Sequence, residues 1–282
     1  MARVTQRRRV RRLSADGATR DRADVLAGEE PLEIRIGGRS FSVTMRTPGD
    51  DFDLVVGFLH GEGIVTSWDD VAQIDYRSGI GADGMRDYNV VDVRLADGVP
   101  PPDPSLERHV YTSSSCGVCG TASIESVRRT GTHDLRADTT AYPLAELLGL
   151  PDRLREAQAV FDRTGGVHAA GLFTPGEDGR GLELACLRED VGRHNAVDKV
   201  VGWALRKRGM PLPGSVIQVS GRASFELVQK AALAGIPLLS AVSAPSSLAV
   251  ELAEDLGMTL VGFNRGESLN VYTGGERVGG PG

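Results

Sequence analysis

Three cysteines in 282 residues are too few and too unevenly placed for a disulfide framework. No apolar run approaches the roughly 20 residues that span a bilayer. The arginine-rich start lacks the apolar segment of a secretory signal. A cytoplasmic chain with reduced thiols and no membrane partner is therefore expected. Neither charge sign dominates: 32 basic against 38 acidic residues leave −6, so the surface as a whole does not call for nucleic acid. Aromatic residues are scarce at 5%, which suits an ordinary α/β protein. Internal repeats and low-complexity tracts are absent. So is a second C-x-x-C or an H-x-x-x-H that would complete a zinc site.

Two of the cysteines stand together in Thr112-Ser113-Ser114-Ser115-Cys116-Gly117-Val118-Cys119-Gly120. Gly117 and Gly120 free the backbone to turn. The segment Thr121-Ala122-Ser123-Ile124-Glu125-Ser126-Val127 reads as a helix start, and a thiol just ahead of a helix N-terminus is biased towards thiolate. Three chemistries compete here. A structural zinc site would need two further ligands, for which Cys186 and His109 are the available types. A thioredoxin-like redox pair should follow a strand inside a compact βαβ unit, where a Pro-rich stretch and a serine run stand instead. An exposed nucleophilic loop that handles sulfur needs only access and mobility, and it suits these residues best.

Along the chain, Arg3, Arg7, Arg8, Arg9, Arg11 and Arg12 make a basic lead-in, expected to be a flexible arm over residues 1–28. Alternation in Leu32-Glu33-Ile34-Arg35-Ile36 and Phe41-Ser42-Val43-Thr44-Met45, with Gly37-Gly38 between, predicts a β-hairpin. A helix follows from Pro48 to Gly61, then strands at 71–76 and 89–95; together these predict a small α+β module. Beyond the cysteines, short helices are expected at 144–148 and 151–163, the second begun by Pro151. Strands are expected at 167–173, 182–187, 216–219, 237–242 and 259–263, and helices at 195–208, 225–234 and 246–256. Such alternation predicts a mainly parallel sheet with helices on both faces, and ligands at the carboxyl ends of its strands.

Polar segments fall at those ends. Asp190 and Gly192 precede a helix whose first turn holds Arg193, His194 and Asn195: an anion site, or simple capping by Asp190 or Asn195. Ser220-Gly221-Arg222-Ala223-Ser224 offers Arg222 to a phosphate, unless Glu226 ties it up. Phe263-Asn264-Arg265-Gly266-Glu267-Ser268 combines an aromatic, an amide and a guanidinium, the types that grip a nucleobase; a plain hairpin turn is the bland alternative. His168 is a lone histidine near a strand, more a structural than a catalytic one.

Taken together these segments resemble the FdhD family of sulfur carriers. The matching stretches are Ser113-Ser114-Ser115-Cys116-Gly117-Val118-Cys119-Gly120, Thr164-Gly165-Gly166-Val167-His168-Ala169-Ala170, residues 189–200, Ser220-Gly221-Arg222-Ala223-Ser224-Phe225-Glu226, Gly235-Ile236-Pro237, residues 243–250 and residues 262–272. Their order and combination carry the resemblance from about residue 30 to the end.

The resemblance implies a persulfide-type sulfurtransferase. It would take sulfur from a cysteine desulfurase and pass it to the molybdenum (or tungsten) cofactor, as bis(molybdopterin guanine dinucleotide), for formate dehydrogenase. Cys116 would carry the persulfide and Cys119 assist. Residues 263–268 would bind the guanine dinucleotide, with Arg193, His194, Ser220 and Arg222 on the same rim. It implies a homodimer and, for residues 131–282, a cytidine-deaminase-like three-layer α/β/α domain. The module would span 29–110 and the mobile cysteine loop with its short helix 111–130. Zinc deaminases place H-x-E and P-C-x-x-C at two helix starts; here these read Arg193-His194-Asn195 and Gly221-Arg222-Ala223-Ser224, so catalytic zinc is not expected. An insertion chaperone that binds the cofactor without transferring sulfur is the alternative.

Overall fold

The computed structural model describes residues 4–77, 79–80, 86–102, 133–177 and 180–279. The N-terminal module is a four-stranded sheet of order β4-β3-β8-β5. It comprises β3 (Glu30–Ile36), β4 (Arg39–Arg46), β5 (Val71–Tyr76) and β8 (Val90–Leu95), covered by α1 (Asp51–Gly61). The small pair β6 (Gly79–Ile80) and β7 (Arg86–Asp87) lies between β5 and β8 in sequence. Leu32, Ile34, Phe41, Leu54, Val55, Leu59, Val91 and Val93 form its core, as the alternation predicts.

The larger sheet has the order β10-β9-β11-β12-β13-β14. Its strands are β9 (His168–Pro175), β10 (Leu182–Asp190), β11 (Val216–Val219), β12 (Leu238–Ala241), β13 (Thr259–Arg265) and β14 (Ser268–Thr273). Only β11–β12 and β12–β13 pair in parallel, so the sheet is mixed rather than mainly parallel. Hairpins cause this: β9–β10 and β13–β14 are joined by short turns, which link only antiparallel neighbours. Because β9 is also antiparallel to β11, strands β10, β11, β12 and β13 all run one way. Their carboxyl ends share one edge with the start of β9.

Helices α4 (Arg193–Lys207), α5 (Phe225–Leu233) and α6 (Ser247–Leu256) bury one face of this sheet through Val197, Val200, Leu227, Val228 and Leu252 against Leu172, Ile217, Val219, Leu239 and Leu260. The other face, with Phe173, Val216, Leu238 and Val261, is covered by Leu147 and Leu150 of α2 (Leu144–Glu156). The module attaches through α1, which lies against α4; Leu205 of α4 joins the module's own core.

Two further expectations need correction. The helix expected to start at Pro151 does not: α2 runs through it, and only α3 (Ala159–Thr164) is separate. A proline inside a helix removes the donor for the carbonyl four residues back. That carbonyl belongs to Leu147, and Asn264 Nδ2 donates to it instead at 2.7 Å. The same amide donates to Ser240 Oγ at 3.0 Å. Asn264→Ala would strand the Leu147 carbonyl inside the protein, at a cost of about 1–3 kcal/mol. Urea unfolding checks this; an unchanged midpoint contradicts the substitution of Asn264 for the missing donor.

The second correction concerns residues 1–28. Over 5–27 the expected flexible arm is an antiparallel ribbon of β1 (Thr5–Leu13) and β2 (Thr19–Ala27). Acidic residues on the return strand explain it: Asp21 sits opposite Arg11 and Asp24 opposite Arg8. Asp21 pairs with Arg11 at 3.2 Å and with Arg9 at 3.6 Å. Cross-strand opposite charges of this kind support a ribbon. Its base is tied down by Arg163, which donates to Thr5 Oγ1 at 3.1 Å.

Candidate functional site

The common carboxyl edge of β10–β13 is stitched together by its backbone. Ser220 N donates to Ala169 O at 3.0 Å, and Ser220 Oγ accepts from Ala169 N at 2.9 Å. Ser243 N donates to Gly221 O at 3.3 Å, and Phe263 N to Ser243 O at 3.2 Å. Ala223 bridges to Pro245. The turns after β11, β12 and β13 are therefore neighbours on one rim.

Helix α4 enters this rim with its N-terminus. Its N-cap is Gly192, which has no side chain to satisfy the first amides. Asp190 does not cap the helix: it is fully buried, accepts from the amide of Gly192 itself at 2.8 Å and pairs with Lys199 Nζ at 2.8 Å. It also accepts from Thr47 N at 3.0 Å, and Asn195 Nδ2 donates to Met45 O at 2.7 Å. This network clamps the start of α4 to the module. The buried Nε of Arg193 has no hydrogen-bond partner among the described residues, and neither has Nδ1 of His194. The other ring nitrogen of His194 lies 3.1 Å from Ser224 Oγ and 3.0 Å from Glu226 Oε2, which joins α4 to the β11–α5 turn. Glu226 is thus engaged with His194, while Arg222 is exposed and forms no ion pair within the described residues. His168, at the start of β9, lies against Gly221. Burial, then the charges of Arg193 and His194, hold it below its ordinary value of 6.5, so its imidazole is neutral near pH 7.

The stretch 263–268 divides. Phe263 is half-buried at φ 50°, a left-handed conformation that costs a non-glycine residue about 1–2 kcal/mol. That twist turns Asn264 fully inward, where it serves Leu147, and leaves Arg265 exposed. Arg265 stacks over the Phe263 ring at 5.5 Å. Gly266 (φ 61°) and Glu267 form a two-residue hairpin turn, with Arg265 paired to Ser268. Gly266, Glu267 and Ser268 are exposed. The turn is thus a hairpin whose first strand carries a strained aromatic, while Asn264 faces the interior instead of the rim.

Cys116, Cys119 and His109 lie outside the described residues. Cys186 is buried in β10, and burial pushes its thiol up to about 12, which makes it an inert strand residue, as the sequence implies. Sequence reasoning missed Thr47 and the buried role of Lys199. The only available signal was two charged residues, Asp198 and Lys199, in the middle of a strongly apolar helix.

A family model for the FdhD/NarQ family matches residues 27–279. The chain is 58% identical over 279 residues to a sulfur carrier protein FdhD from Streptomyces coelicolor, covering 99% of this chain and 97% of that one. It is 54% identical over 281 residues to its namesake from Mycobacterium tuberculosis, covering 99% and 100%. Among solved structures, a candidate formate dehydrogenase accessory protein from Desulfotalea psychrophila superposes with a TM-score of 0.74 at 25% identity, over 98% of this chain and 100% of that one.

Proposed function

Because the chain belongs to the FdhD/NarQ family, we propose that it is a sulfur carrier for the maturation of formate dehydrogenase. It takes persulfide sulfur from a cysteine desulfurase and delivers it to a molybdenum cofactor of the bis(molybdopterin guanine dinucleotide) kind. The observation that carries this reading is the rim. An uncapped helix N-terminus, an Arg193 Nε without a partner among the described residues, the exposed Arg222 and the Phe263–Arg265 stack share one sheet edge. Exposed amides and guanidiniums suit pyrophosphate, and an aromatic under a guanidinium suits a base. The work belongs in the cytoplasm, on a homodimer.

The chemistry falls to the cysteine pair. The Cys116 thiolate attacks the outer sulfur of the desulfurase persulfide. One S–S bond forms on Cys116, the donor's S–S bond breaks, and the desulfurase leaves as a thiolate, so no external oxidant is needed. For delivery, the Cys119 thiolate attacks the Cys116 sulfur. A Cys116–Cys119 disulfide forms, and the outer sulfur departs at the level of sulfide with the two electrons the thiols give up. A cellular thiol reductant then resets the pair.

Guanosine diphosphate serves as a probe of the rim. Calorimetric titration is expected to show one site. Arg222→Ala and Arg265→Ala are each expected to weaken it roughly tenfold, the value of one charge-assisted contact. No binding by the parent chain contradicts the rim as the nucleotide site.

A further inference from the structure

The β1–β2 ribbon is unlike the rest of the molecule. Residues 1–28 hold eight arginines against three aspartates, a net of +5, so residues 29–282 carry −11 of the total −6. The ribbon's arginines are all exposed. Asp21 and Asp24 neutralise only part of them, and Arg7, Arg8, Arg12 and Arg20 form no ion pair within the described residues. Arg12 even stands directly opposite Arg20. Like charges so placed destabilise a strand pair, and folding alone gains nothing from them. Leu13 at the tip is 72% exposed and Leu26, opposite Gln6 near the base, 43%, apolar side chains set among the charges.

The ribbon is also placed with respect to the rim. Its base packs on α3, and Ala27 Cβ approaches Gly166, two residues before His168 at the start of β9. The ribbon's base therefore adjoins the end of the sheet where β9 begins.

We infer that this ribbon is a docking arm for an acidic protein surface, that of the enzyme receiving the loaded cofactor from the rim. Protein is favoured over nucleic acid on two counts. Aspartates lie on both faces of the ribbon, Asp21 on one and Asp24 on the other, where they would repel a phosphate backbone. Residues 4–28 also contain no aromatic side chain on which a base could stack. The identity of the receiving enzyme rests on the proposed function; the charge and position of the arm do not.

The test uses the full chain with Arg7, Arg8, Arg12 and Arg20 replaced by Glu, and a second variant with Lys at the same four positions. Binding to purified formate dehydrogenase lacking its cofactor is measured by interferometry across a salt series. Parent and Lys variant are expected to bind alike, with affinity falling as salt rises. The Glu variant is expected to lose at least roughly tenfold at low salt while it keeps guanosine diphosphate binding and an unchanged circular dichroism spectrum. Equal binding by parent and Glu variant overturns the inference. So does a Glu variant that loses binding to a transfer RNA probe but keeps the enzyme. Loss of guanosine diphosphate binding by the parent itself would instead strike the rim reading and leave the arm to the interferometry.

Discussion

Gly202→Ala is expected to cost at least about 3 kcal/mol and to prevent accumulation of soluble protein at growth temperature. The reason lies in how the module meets the larger sheet. Helices α1 and α4 touch backbone to backbone at Gly57 and Gly202. A methyl at Gly202 would overlap the Asp53 carbonyl oxygen and sit 2.8 Å from its carbon and 2.7 Å from Gly57 N. A methyl at Gly57 would likewise overlap the Asp198 carbonyl oxygen. Both obstacles are main chain, which no side-chain rotation relieves, so the helices must separate and open the packing along their length. A domain with about 5–15 kcal/mol of net stability has little reserve for this. Gly149→Ala is the control: that helical glycine has nothing within 4 Å, and alanine there should be neutral or stabilising by up to about 1 kcal/mol. Thermal unfolding of the three proteins decides it. Equal midpoints for Gly202→Ala and the parent would show that the helices are not held at that contact.

The second large effect is expected at Asp198. Its carboxylate receives Lys230 Nζ at 2.6 Å, and both residues are buried, 3% and 8% exposed. The pair ties α4 to α5 beneath the rim, with Lys230 also 5.8 Å from the Phe58 ring of α1. Asp198→Ala leaves the ammonium buried and unpaired, a loss of about 3–5 kcal/mol. Lys230→Met leaves the carboxylate and should cost similarly. The double variant Asp198→Leu with Lys230→Met removes both charges and should recover most of the loss, because the penalty is that of an orphaned charge. Urea unfolding of the cycle measures the coupling. Strictly additive losses would contradict the pair as a unit.

Neither of these two contacts is legible in the sequence, whereas the local elements are. Strand β11 was readable to the residue, since Val216-Ile217-Gln218-Val219 is apolar and bounded by turn signals, and the module hairpin was readable from its alternation. The rim followed from strand–helix alternation, because carboxyl ends of like-directed strands must share an edge. What escaped was long-range. Asp198 and Lys199 sit on a helix covered on both sides, by the sheet and by α1. Nothing local in the sequence marks them as buried and paired, because their partners, Lys230 and Thr47, are 32 and 152 residues away. Asn264 read as a base-gripping amide because the carbonyl it serves is orphaned by a proline far off in sequence. The ribbon escaped because a run of arginines resembles a solvated tail until the aspartates of the return strand are set opposite.

The central claim is transfer of sulfur through Cys116, and it has a direct measurement. The chain is incubated with a cysteine desulfurase and cysteine, trapped with an alkylating reagent, and its peptides are weighed. The account predicts an added sulfur atom on the peptide bearing Cys116, absent from Cys116→Ala, with Cys186 unmodified. An unchanged mass at both Cys116 and Cys119, together with full client activity when both are alanine, would contradict it and leave a cofactor-binding chaperone in its place.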